Sequence, residues 1–98
     1  MARRAARVDN TQSEIVSALR QVGCFVQSLA AVGRGVPDLL VCVHPMSRVS
    51  RLYLLECKTN NAGLTDAETA FCHLWPVSIC RTPEEALSAV GLTVEGEG

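Results

Sequence analysis

The chain has 98 residues, a net charge of −1 and 48% hydrophobic residues, few of them aromatic. That length suffices for one domain with its own aliphatic core. The charge excludes a globally basic nucleic-acid binder, so any basic footprint must be local, and no apolar run approaches the ~18–20 residues of a membrane span.

The start, Met-Ala-Arg-Arg-Ala-Ala-Arg, leads into Val8-Asp9-Asn10 and not into an apolar stretch. This predicts an intracellular, cytoplasmic protein without a signal peptide. Five cysteines (24, 42, 57, 72 and 80) are an odd number and form no CxxC pair. They read as buried thiols of a reducing compartment, not as a disulfide frame or a zinc site.

Residues 1–9 read as a mobile basic arm. Thr11 and Glu14 fit a capping box, and Ile15, Leu19 and Val22 follow at spacings of four and three, so a helix is predicted over about 11–22. Gly23 ends it. Cys24–Leu29 reads as a first strand, and residues 30–37 as a glycine-containing loop. Pro37 biases Val36 to extended backbone, which opens a second strand at about 38–44. Pro45-Met46-Ser47-Arg48-Val49-Ser50 is a polar turn, and Leu52–Leu55 a third apolar run closed by Glu56. After the loop Thr59–Gly63, Thr65-Asp66-Ala67-Glu68 is a second capping box, predicting a helix over 66–74 closed by Pro76. Val77–Cys80 reads as a fourth strand. Thr82-Pro83-Glu84-Glu85 starts a last helix reaching about Ala89, with proline at its first position and acids in its first turn. Residues 92–98 read as a frayed tail. The predicted order is α-β-β-β-α-β-α in a single domain. The central strands are apolar on both faces, which predicts an α/β sandwich with a sheet covered on both sides.

The second and third strands carry the chemistry. If their turn centres on Ser47, paired residue numbers sum to about twice 47, and Asp38 faces Glu56 across the ladder. Cross-strand Cβ atoms lie roughly 4.5–5.5 Å apart, close enough for two carboxylates to share one cation. Lys58, two residues beyond Glu56, points to the same face. Mg²⁺ takes hard oxygen ligands and keeps several waters, so two carboxylates and the backbone carbonyl of Cys57 suffice. A lysine beside the metal can orient the attacking water or offset charge on a phosphate. Taken alone, the spacing also fits two acids that merely end strands at the surface.

The residues Pro37-Asp38 and Glu56-Cys57-Lys58 fit the pattern P-D…(D/E)-x-K. Over about residues 11–90 the chain resembles the PD-(D/E)xK nuclease superfamily. Within it, the chain is most similar to the stand-alone virus-type replication-repair nuclease (VRR-NUC) domain found in phages. The likeness rests on Glu14, Gly35-Val36-Pro37-Asp38-Leu39-Leu40, Leu55-Glu56-Cys57-Lys58-Thr59 and the helix after Gly63-Leu64-Thr65. It implies a restriction-endonuclease-like core, a mixed sheet flanked by helices. It also implies a Mg²⁺- or Mn²⁺-dependent endonuclease for phosphodiester bonds in DNA, often structured or branched DNA such as junctions. Asp38 and Glu56 then hold the metal, Lys58 assists catalysis, and Glu14 adds an acid near the metal. Glu14 is equally well read as the third residue of its capping box. The chain departs from the family at Glu68, where a glutamine is usual.

Arg34 and Gly35 in the glycine loop, with Arg48 and Arg51 in the hairpin, are the candidate DNA contacts. Gly33-Arg34-Gly35 precedes a strand instead of following one, so a dinucleotide loop is rejected. His44 and His73 have no ligand spacing. Trp75 reads as a core or interface anchor. A homodimer is expected, with Trp75, Val77, Ile79 and Leu87–Val90 supplying apolar material. The alternative to a nuclease is a non-catalytic nucleic-acid-binding or assembly module on the same fold.

Overall fold

The computed structural model describes residues 3–44 and 49–92. Three helices and four strands follow one another as α1 (Arg3–Gln21), β1 (Phe25–Ser28), β2 (Leu39–Val43), β3 (Arg51–Cys57), α2 (Asp66–Leu74), β4 (Val77–Cys80) and α3 (Pro83–Ala89). The predicted order holds. The strands form one mixed sheet in the order β1-β2-β3-β4. The first three pair antiparallel, and β4 joins β3 in parallel through the α2 crossover. Leu39 pairs with Leu55 and Val41 with Tyr53. This is the register expected from a turn centred on Ser47, although Ser47 and Arg48 themselves lie outside the described residues, as does the tail from residue 93 on.

The buried layer lies on one face of the sheet. Ile15 and Leu19 of α1 and Ala86, Leu87 and Val90 of and after α3 pack against Leu39, Val41, Val43 and Leu55. Each fully buried aliphatic side chain contributes about 1.5–3 kcal/mol, and Ile15, Leu19, Leu39, Val41 and Leu55 have no exposure at all. Gly23, with φ of +93°, ends α1 in the left-handed region.

Two expectations are corrected. α1 begins at Arg3, so Thr11 and Glu14 are interior helical residues and form no capping box. The stretch from Arg3 to Asn10 has no glycine or proline and is rich in alanine and arginine, both good helix formers. α1 also takes the place of the mobile arm from Arg3 on. Second, among the described residues the sheet is covered on one side only. The opposite face carries half-buried Leu40, Cys42, Leu54 and Val77 and exposed Phe25, Leu52 and Ile79. α2 lies toward that side and buries none of its own residues. No described helix is long and apolar enough to cross a membrane.

Candidate active site

Asp38 sits one residue before β2, after the fully buried Pro37. Glu56 is the next-to-last residue of β3. The ladder register, continued by one residue, sets them opposite each other. The Cys57 amide donates to Asp38 Oδ2 at 2.7 Å, which fixes that carboxylate and leaves Oδ1 for another partner. Lys58 follows β3 and reaches both neighbouring acids. Its Nζ lies 3.6 Å from Glu56 Oε2 and 2.8 Å from Glu68 Oε1. These residues border a cavity of about 290 Å³, lined also by Thr11, Gln12, Thr59 and Ala62.

α2 delivers Glu68. Thr65 Oγ1 accepts from the Glu68 amide at 3.1 Å, and the Thr65 amide donates to Glu68 Oε1 at 2.9 Å. The capping box is therefore as expected, and one carboxylate oxygen serves both the helix cap and Lys58. The glycine loop fixes the same turn. Gly33, Arg34 and Gly35 all have positive φ. A Cβ on Gly35 would collide with the Ala67 carbonyl group and lie 2.9 Å from the Glu68 amide nitrogen. The close approach that this glycine permits within the chain is thus to the first turn of α2.

The electrostatics centre on Glu56, which is 4% exposed. Burial first, then the charges of Asp38 and Glu68, push its carboxyl up to about 7 against the opposing pull of Lys58. Burial works to lower Lys58, but the hydrogen bond and charge of Glu68, then those of Glu56, outweigh it and hold the ammonium above its ordinary range. Burial likewise works to raise Glu68, and the Lys58 and Thr65 hydrogen bonds bring it below the usual carboxylate range. Cys57 contributes only backbone here. Burial, with Asp38 beside it, pushes its thiol up to about 12, so it stays a neutral thiol.

Among the described residues, no three or more His, Cys, Asp and Glu side chains gather closely enough to hold an ion by themselves. Asp38 and Glu56 nevertheless suit a hard divalent ion that keeps several waters. They are two adjacent carboxylates, one of them buried with an excess of negative charge around it, and a cation would relieve that excess.

The structure thus brings Asp38, Glu56, Cys57 and Lys58 together, with Glu68. It does not bring Glu14, which is exposed and outside the cavity lining. α1 reaches the cavity through half-buried Thr11 and Gln12 instead. Thr11 stands four and eight residues before Ile15 and Leu19, on the same helical stripe one turn beyond the core. That signal is in the sequence, but reading Thr11 as a helix start hides it. Arg34 and Arg51 are exposed and line no part of the cavity. Arg81 was not singled out by the sequence reading, yet its guanidinium donates to the Asn60 carbonyl at 2.5 Å and ties the 59–63 loop beside the site to the end of β4. His44 and His73 are exposed, Trp75 is half exposed and stacked on Phe71 at 5.7 Å, and all five cysteines are free. No family model matches the chain, and neither a curated protein nor a solved structure matches it.

Proposed function

We propose that the chain is a metal-dependent endonuclease that hydrolyses phosphodiester bonds in DNA, with a nuclease core of the PD-(D/E)xK type. One observation carries this reading: Asp38 and Glu56 stand opposite each other across the ladder, with Lys58 within 3.6 Å of Glu56. Asp38 and Glu56 would hold Mg²⁺ or Mn²⁺, with the Cys57 carbonyl as a further oxygen ligand. The bound ion supplies Lewis-acid polarisation and a more acidic water. Lys58 places a positive charge where negative charge develops on the phosphate, and the Glu68 carboxylate holds that ammonium in place. Arg34, Arg48 and Arg51 supply local phosphate contacts on a chain that is not basic overall.

The 2.8 Å Lys58–Glu68 pair favours a second reading, in which the lysine is spent on structure and the chain is a non-catalytic nucleic-acid-binding or assembly module. Linear, nicked, flap and four-way-junction DNA incubated with the protein in Mg²⁺, Mn²⁺ and EDTA separates the two. Cleavage of at least one substrate with either ion and none in EDTA is the expected result. Binding without cleavage under every condition supports the second reading.

A further inference from the structure

α1 closes one side of the candidate site. Two of its side chains, Thr11 and Gln12, line the cavity of about 290 Å³ together with Asp38, Glu56, Lys58 and Glu68. Both are half-buried, and neither has a hydrogen-bond partner among the described residues. Their placement follows from the helix on which they stand. Thr11 precedes Ile15 and Leu19 by one and two turns, and Gln12 precedes Val16 by one turn. Ile15 and Leu19 have no exposure, and Val16 packs against the same core. The core thereby fixes the rotation of α1 about its axis, and the turn before it presents Thr11 and Gln12 to the site.

The charge of the cavity favours neutral side chains on this side. Three carboxylates, Asp38, Glu56 and Glu68, face one ammonium, Lys58. A divalent ion offsets the excess, and a further acid from α1 would restore it. An octahedral ion held by two carboxylates and one carbonyl keeps roughly three positions for water or a phosphate oxygen. Waters on a cation turn their hydrogens outward and need acceptors. Lys58 offers none. Glu68 Oε1 already serves Lys58 and the Thr65 amide, and Asp38 Oδ2 already accepts from the Cys57 amide. The Thr11 hydroxyl and the Gln12 amide each carry an oxygen that accepts and a hydrogen that donates. They can serve a water and a phosphate oxygen without adding charge.

We propose that Thr11 and Gln12 are positioning residues of this site, accepting hydrogen bonds from the waters that a divalent ion on Asp38 and Glu56 retains. The inference rests on the metal-site reading above. The part expected of Glu14 in α1 passes to two neutral side chains, which act on the ion through its waters and not as ligands. Hydrogen-bond partners at this remove typically govern metal affinity by about 10–100-fold.

Titration calorimetry with Mn²⁺ alone, in the absence of DNA, tests the assignment apart from cleavage. Thr11→Val keeps the branched side chain and removes the hydroxyl. Gln12→Met keeps the length and removes the amide. Each should weaken Mn²⁺ binding by about 10-fold or more, and Thr11→Ser, which returns the hydroxyl, should bind as wild type does. Neither side chain bonds to the rest of the described fold, so all three variants should melt in EDTA close to the wild-type temperature. Asp38→Asn, measured alongside, should bind no Mn²⁺ and marks the site. Wild-type affinity in Thr11→Val and Gln12→Met, with none in Asp38→Asn, overturns the inference and leaves the metal site standing. Affinity lost only together with melting temperature in EDTA also overturns it, because that result assigns the two side chains to the fold. A wild-type protein that binds no Mn²⁺, or binds it no better than Asp38→Asn, overturns the metal site itself and the inference with it.

Discussion

Glu56 is a buried carboxylate beside two others, and its position has consequences that can be measured one residue at a time. Asp38→Asn and Glu56→Gln are each expected to lower DNA cleavage by about 10³-fold or more through loss of the metal-held charge, with the fold retained by circular dichroism. Lys58→Ala should slow turnover by about 10²–10³-fold while calorimetry shows Mn²⁺ affinity intact, since the ammonium pairs with Glu68 and is no ligand. Lost metal affinity with unchanged turnover would contradict the role given to Lys58. The folded-state value of about 7 for Glu56 lies above its ordinary 4.5. The folded protein therefore binds the extra proton more tightly than the unfolded chain does. The stability this adds is full below about pH 4.5 and is lost as pH rises through 7. Glu68 is shifted the other way, so its contribution is present above its ordinary value and lost only as pH falls below it. In EDTA, urea unfolding should thus show stability falling between about pH 5 and 7.5, and Glu56→Gln should flatten that slope and gain about 3 kcal/mol at the alkaline end. A Glu56→Gln protein with the wild-type slope would mean that Glu56 is not the group responsible.

At the scale of elements, α2 and the glycine loop form one device that places Glu68 against Lys58. Gly35→Ala combines a strained left-handed residue with a collision against Ala67, and should cost about 2–4 kcal/mol. Thr65→Ala removes one cap hydrogen bond and should cost about 1 kcal/mol. Urea midpoints check both, and both should slow cleavage, because each loosens the turn that carries Glu68. Equal stability of Gly35→Ala and wild type would contradict the packing of the loop on α2. α2 and α3 were legible in the sequence because Thr65/Glu68 and Thr82-Pro83 mark their starts by side-chain chemistry that acts locally. The start of α1 was misplaced for the same reason. Thr11 and Glu14 have the spacing of a cap, but nothing before them breaks a helix, and the cap is never formed. The Asp38–Glu56 pairing was legible because strand register follows from turn position alone. Gly35 was read as a candidate DNA contact, and its packing on Ala67 was not legible because that neighbour is distant in sequence and only the tertiary structure reveals it.

At the scale of the whole molecule, the described residues form a four-stranded sheet with one buried face and one open face, and the candidate site lies at the end of β3. The open face was not legible. Leu40, Leu52 and Leu54 look the same in sequence whether or not a helix of their own chain covers them, so apolar strands on both sides were read as helices on both sides. The site itself rests on Asp38, Glu56 and Lys58, and its chemistry can be reached directly. The decisive measurement is the rate of four-way-junction cleavage as Mn²⁺ is titrated into wild type, Asp38→Asn and Glu56→Gln under identical conditions. The wild-type rate should rise from nothing in EDTA to a plateau, while both variants stay at background across the titration. Curves for the folded variants that overlay the wild-type curve would contradict the two-carboxylate metal site.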